Sequence, residues 1–289
     1  MKRIILFLAT NLAIMVTLSV VLSLLGVGGY LTPTGLDYSA LMVFALIWGM
    51  GGAFISLQIS RWMAKRAMGV QLVDGKTGQA ELDWFYRTVE TLARRASLPM
   101  PEVGVYESAE VNAFATGPSK NRSLVAVSSG LFRAMGHDEI EGVLAHEITH
   151  IQNGDMVTLA LIQGVVNAFV IFFSRVLANL IRSMVDRRMS NLVFMLTTIA
   201  FDIVLGILGS IVVAWFSRAR EFRADAGGAA LAGRNNMIGA LQRLAQNKQL
   251  VDTSQPAYAT MKINGAKGFM SLFSTHPPLE ERIRALQQS

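Results

Sequence analysis

The hexapeptide AHEITH, residues 145–150, places His146, Glu147 and His150 in an HExxH spacing. Residues four apart on an α-helix project from one face, one turn above the other, so the two imidazoles can share a metal ion. Glu147, beside the first of them, can reach a water on that ion and take its proton. Zinc lowers the pKa of a bound water to about 7, which makes hydroxide available at neutral pH without a strong base. Two ligands and a base thus come from one short motif. Four histidines and eleven glutamates placed at random in 289 residues would produce it about 0.002 times per chain, so chance explains it poorly. The alternative is a pair of helix-surface histidines flanking a solvated glutamate.

A catalytic zinc needs a third protein ligand and one open position. The chain has no cysteine, which excludes disulfides, iron–sulfur clusters and thiolate zinc fingers and leaves histidine and carboxylate. The extended pattern HExxHxxGxxH fails, since Asn153 and Met156 stand where glycine and histidine would be. A carboxylate on a second helix is the other solution. The stretch SRAREFRADAGGAA offers Glu221 and Asp225, again four apart, so Glu221 can coordinate the metal while Asp225 accepts the spare ring N–H of a ligand histidine. The competing reading is an exposed helix on which both acids pair with Arg218, Arg220 or Arg223. His276 is the rival for the third position. It precedes Pro277-Pro278, which can serve as a rigid helix start, or can aim the His276 ring at a developing oxyanion as a proton donor. His137, just outside the motif helix, reads as a surface residue.

The elements that must position these groups lie in an apolar chain. Hydrophobic residues make up 52% of it and mean hydropathy is +0.41, more than a soluble fold carries, which points to a membrane. The net charge of +6 comes from basic residues beside the apolar runs, and no nucleic-acid motif accompanies it. Ile4 to Leu25 is long enough to cross a hydrocarbon core as a helix and too long for the h-region of a cleaved signal peptide. Ala40 to Ile59 is a second run, with Gly49, Gly51 and Gly52 forming a small-residue face. Lys2 and Arg3 before this pair, and Arg61, Lys65 and Arg66 after it, place both flanks in the cytoplasm by the positive-inside rule. Met156 to Leu180 and Leu192 to Phe216 form a second pair. It contains Arg175, which can snorkel, and Asp202, either a packing partner or a functional group. The basic link between the two runs opposes the positive-inside tendency if both span, so helices packed on the soluble part or lying shallowly in the bilayer stay open.

Between the hairpins the chain is polar. Leu82, Phe85, Val89 and Leu92 predict a helix over Gln79 to Ser97, and short β-type runs follow at 102–106, 111–116 and 123–127. Either of the last two runs could be a strand edge that holds an extended peptide, and ordinary core strands are the alternative. Asp138 with Glu141 suggests a capping box for the motif helix, which runs to Gly154. The expected organisation is an N-terminal transmembrane hairpin at 1–66, a first metallopeptidase part at 67–155, a second membrane hairpin at 156–216 and a second metallopeptidase part, carrying the third-ligand helix, at 217–289. The fold class is mainly α, transmembrane hairpins plus a zincin-like α+β cytoplasmic domain with a small sheet. The link from Asn247 to Thr275, with Gly265 and Gly268, is long enough to gate a cleft.

Three function classes fit these features: a zinc endopeptidase with Glu147 as general base, a membrane holdase or binding protein with a structural zinc, and a transporter. The last lacks an inverted repeat. The segments MKRIILFLATNLAIM, VNAFATG, AHEITHIQNGDMVT, LIQGVVN, WFSRAREFRADAGGA and STHPPLEERI, in this order, resemble the HtpX membrane proteases, gluzincin relatives of the CAAX prenyl endopeptidases. The resemblance covers nearly the whole chain. It implies one Zn2+ per subunit, held by His146, His150 and Glu221, with Glu147 as the catalytic residue. It also implies a multi-pass protein of the bacterial inner membrane with its active site in the cytoplasm. Its polypeptide substrates would be misfolded membrane proteins, cleared alongside the ATP-dependent membrane protease.

Overall fold

The computed structural model describes residues 16–18, 20, 23, 24, 29–32, 35–186, 188–254 and 272–288. Most of the first apolar run, 4–25, and most of the suggested gating link, 247–275, lie outside the described residues. Two compact units divide the chain, one made of Met1–Leu57 and Thr158–Val213, the other of Gln58–Val157 and Ala214–Ser289. Each boundary falls inside a helix.

The first unit holds a two-stranded ladder, β1 (Leu31–Thr32) and β2 (Gly35–Leu36), and the apolar parts of three long helices: α1 (Tyr38–Met68), α5 (Asp155–Arg182) and α6 (Ser190–Ala232). All three are long and apolar enough to cross a membrane. Small residues let them pack closely: a Cβ on Gly49 would sit 2.5 Å from the backbone nitrogen of Ala168, and one on Gly209 would sit 2.6 Å from a methyl of Val166. Arg175 does not snorkel. Its Nη1 meets Asp202 Oδ1 at 2.7 Å, and Ser174 Oγ donates to the same oxygen at 2.5 Å, so each charge in this apolar setting has a partner.

Helix α6 differs from expectation in one respect. The fourth apolar run and the Glu221 segment are not separate elements but one continuous helix of 43 residues, about 65 Å long. That is roughly twice a hydrocarbon core of ~30 Å. No glycine or proline with broken geometry separates the parts, and the change from apolar to charged residues at Ser217 alters the helix surface without interrupting its hydrogen bonding.

The second unit is built on a four-stranded sheet, β3 (Gln71–Leu72), β4 (Glu102–Tyr106), β5 (Ala113–Ser119) and β6 (Arg122–Ser128), in the order β3-β4-β6-β5. Strand β6 pairs parallel with β4 and antiparallel with β5, so the 123–127 run is interior and cannot accept a further strand. Its LVAV stretch is buried on both faces. Val125 and Val127 meet Phe85, Val89 and Leu92 of α2 (Ala80–Arg95), whereas Leu124 and Ala126 pack with Tyr106, Ala64 and Met68. A short helix, α3 (Ser129–Ala134), follows, capped by the Ser128 hydroxyl, which accepts from the Leu131 N–H.

Helix α4 (His137–Asn153) carries AHEITH. Ile140, Leu144, Ile148 and Ile151 form its buried stripe toward α2 and the sheet, and truncating one such side chain to alanine costs about 2–5 kcal/mol. The expected Asp138–Glu141 capping pair is replaced by Gly136 and Glu139. The N-cap lies two residues earlier than Asp138, and Glu139 Oε2 accepts the Gly136 N–H at 2.9 Å. Gly154 ends the helix at φ 69°, a left-handed conformation that suits glycine. Helices α7 (Arg234–Ser254) and α8 (Leu279–Gln288) belong to the same unit and share a small cluster of Met237, Leu241 and Leu286.

Candidate metal centre

Helices α4 and α6 meet through small residues. A Cβ on Gly228 would lie 3.1 Å from the backbone nitrogen of His146, and one on Gly227 would collide with Thr149. Glu221, Ala224, Asp225 and Gly228 follow the spacing of one helix face, so the close approach carries both carboxylates to the histidine pair. They are not the exposed acids of the competing reading: Glu221 is 1% exposed and Asp225 2%.

His146, His150 and Glu221 offer ligand atoms that all lie within 4.8 Å of one another. His146 Nε2 stands 3.1 Å from His150 Nε2, His150 Nε2 is 3.4 Å from Glu221 Oε1, and His146 Nε2 is 3.6 Å from Glu221 Oε2. The other ring nitrogens are committed. Asp225 Oδ1 sits 2.9 Å from His146 Nδ1 and Asp155 Oδ2 sits 2.6 Å from His150 Nδ1. With Nδ1–H donating to a carboxylate, each Nε2 carries its lone pair. Two lone pairs and a buried carboxylate then face one another, and among the described residues Glu221 Oε1 has no hydrogen-bond donor. Such an arrangement needs a cation. A tetrahedral zinc with bonds of about 2.05 Å has ligand–ligand edges of about 3.3 Å, which the three separations bracket.

The electrostatics point the same way. Burial opposes the charged form of His150, but the carboxylates of Asp155, which accepts from its ring, and Glu221 prevail and raise its pKa to about 9. His146 is likewise buried and raised, through Asp225 and Glu221. The cluster therefore holds positive charge at neutral pH, as protons or as a metal ion.

Two supporting residues were not foreseen from sequence. Asp155 follows the left-handed Gly154, and the chain reversal lets it reach back to His150; the glycine signals the helix end but not that return. Arg282 is one of several charged residues in EERIRAL, and nothing in its spacing distinguishes it. It is 6% exposed, donates to both oxygens of Asp225 at 2.6 and 2.7 Å, and lies 3.4 Å from Glu221 Oε2. Burial disfavours its charge, yet Asp225 and Glu221 raise its pKa.

Glu147, the next residue after His146, is half-buried on α4. His276 falls outside the three-residue cluster, but its Nδ1 is 2.9 Å from Glu221 Oε2, and its side chain is 61% exposed. His137 stacks on Trp84 and contacts Glu81 at the surface, as expected. Of the two suggested peptide-binding edges, only β5 is an outer strand, and α4 packs beside it.

A helix-borne histidine pair facing a buried glutamate from a second helix, with three helices among the described residues able to cross a bilayer, defines the class of membrane metallopeptidases. Residues 79–289 match Peptidase family M48. Over 289 residues the chain is 52% identical to a protease HtpX homolog of Thiobacillus denitrificans, covering 99% of each. It is 53% identical over 292 residues to protease HtpX of Thioalkalivibrio sulfidiphilus, again covering 99% of each. The crystal structure of S. mikatae Ste24p shares its fold, with a TM-score of 0.63 at 22% identity, over 96% of this chain and 62% of that one. The chain belongs to peptidase family M48: it is a zinc-dependent metallopeptidase of a membrane, acting on polypeptides.

Proposed function

We propose that His146, His150 and Glu221 hold the zinc and that Glu147 is the general base of an endopeptidase. The convergence of three acceptor atoms, two of them on imidazoles whose other nitrogens are already engaged, carries this reading. Zinc bound there supplies Lewis-acid polarisation of the scissile carbonyl and a water acidified to about pKa 7. Glu147 accepts a proton from the attacking water and returns it to the leaving amine. Asp225 and Asp155 keep both imidazoles turned toward the ion, and Arg282 keeps Asp225 in place. His276 donates a hydrogen bond to the oxyanion as it develops. An extended substrate pairs with the free edge of β5, the strand beside the motif helix.

The substrates are misfolded or damaged membrane proteins, cleared in parallel with the ATP-dependent membrane protease. The protein sits in the bacterial inner membrane with its active site and both termini in the cytoplasm. The basic flanks Lys2, Arg3, Arg61, Lys65 and Arg66 and the HtpX relatives support this. The test is a Glu147→Gln protein reconstituted in liposomes with an unfolded membrane protein. It should bind one zinc per chain and fail to cleave, whereas retained cleavage would refute the base assignment. Full zinc occupancy in a Glu221→Ala protein would refute the ligand set.

A further inference from the structure

The ring of His276 is not held by packing, since its side chain is 61% exposed. The short segment before it is tied to α6. Arg218 Nη1 donates to the carbonyls of Leu272 at 3.1 Å and Ser274 at 2.8 Å. The Ser274 hydroxyl in turn donates to the His276 carbonyl at 2.6 Å. Arg218 lies three residues before Glu221 and seven before Asp225, so all three stand on one side of the same helix.

The geometry points to Arg218 as a positioning residue for the peptidase reaction: its guanidinium clamps the 272–276 turn and thereby sets His276 against Glu221. A planar cation with fixed donors suits two carbonyls two residues apart better than a flexible ammonium does. Leu272 and Ser274 are exposed residues, so water can take over their carbonyls when the clamp is lost. The cost falls on the placement of the His276 ring, where a small displacement of a catalytic donor lowers turnover steeply. The inference rests on the reading of His276 as an oxyanion donor.

The experiment uses the full-length zinc-loaded protein in detergent with a quenched-fluorescent peptide library, together with hydrogen exchange of the same variants. Arg218→Ala should leave zinc content and exchange in α4 and α8 unchanged, quicken exchange at residues 273–276, and lower kcat about 10-fold with KM within about twofold. Arg218→Lys should fall between the variant and the parent. In a His276→Ala background the Arg218→Ala change should add nothing, because the clamp acts through that ring. Unchanged exchange at 273–276, in either Arg218 variant, overturns the clamp. Multiplying losses in the double variant overturn the route through His276. A His276→Ala protein with parental kcat would instead remove the oxyanion role, and with it the catalytic part of this inference, while the exchange result still reports on the clamp itself.

Discussion

Asp155 reaches back past the left-handed Gly154 and holds Nδ1 of His150 at 2.6 Å. The helix that presents the histidine and the helix that orients it are therefore joined by a single residue. Asp155→Ala is expected to weaken zinc affinity about 10–100-fold, the usual effect of losing a carboxylate behind a ligand histidine. Competition with a chelator measures this. Parental affinity would show that the contact does not orient the ligand.

Arg282 is the buried cation beside Asp225 and Glu221. Arg282→Met removes the guanidinium that donates to both oxygens of buried Asp225 and leaves His146 as its remaining partner, a loss expected to cost up to about 3–5 kcal/mol of stability in the metal-free protein. The double change Arg282→Met with Asp225→Asn should recover part of that stability, because the uncompensated charge is gone. Thermal unfolding of the four proteins checks it, and additive losses would contradict the pairing.

The pH dependence has opposite signs with and without metal. His150 is raised from 6.5 to about 9. Its protonation therefore stabilises the metal-free fold fully below pH 6.5, and that contribution, on the order of a few kcal/mol, fades as pH rises through 9. Zinc needs the neutral ring, so zinc affinity should climb over the same window. Melting temperatures of metal-free protein and zinc titrations from pH 6 to 9.5 test both trends. A metal-free protein that becomes more stable toward pH 9 would reverse the assignment.

The Gly227–Gly228 pair sets how near α6 comes to α4. Gly228→Val should separate the helices and cut zinc occupancy, at about 1–3 kcal/mol of overpacking. Gly239→Ala on α7, where a Cβ meets Glu139 only at 3.9 Å, should be neutral or stabilising by up to about 1 kcal/mol. Equal zinc binding by parent and Gly228→Val would show that the approach is not limiting.

In the apolar helices, Asp202→Leu alone strands Arg175 without its counter-charge, and Arg175→Met alone strands Asp202. Each should destabilise the α5–α6 contact more than the two changes together. Unfolding in detergent gives the coupling. A double variant that loses proteolysis while staying folded would assign Asp202 a functional part instead.

What the chain determines by itself is what depends on short-range geometry. The four-residue spacing of His146 with His150, and of Glu221 with Asp225, places each pair on one helix face wherever the helix goes, and continuous apolar runs are legible for the same local reason. Composition also restricted the metal's ligands to imidazole and carboxylate. The tertiary structure alone decided the relations across distance. Glu221 lies 71 residues after His150, and the fit of Gly227 and Gly228 against Thr149 and His146 brings their helices together. Arg282 reads as one more surface charge until its burial against Asp225 is seen, because spacing within a helix carries no information about which partner another segment will present. The joining of the fourth apolar run to the ligand helix escaped the sequence for a related reason. A change in polarity marks where a helix's surroundings change, whereas a helix ends only where its backbone hydrogen bonds do.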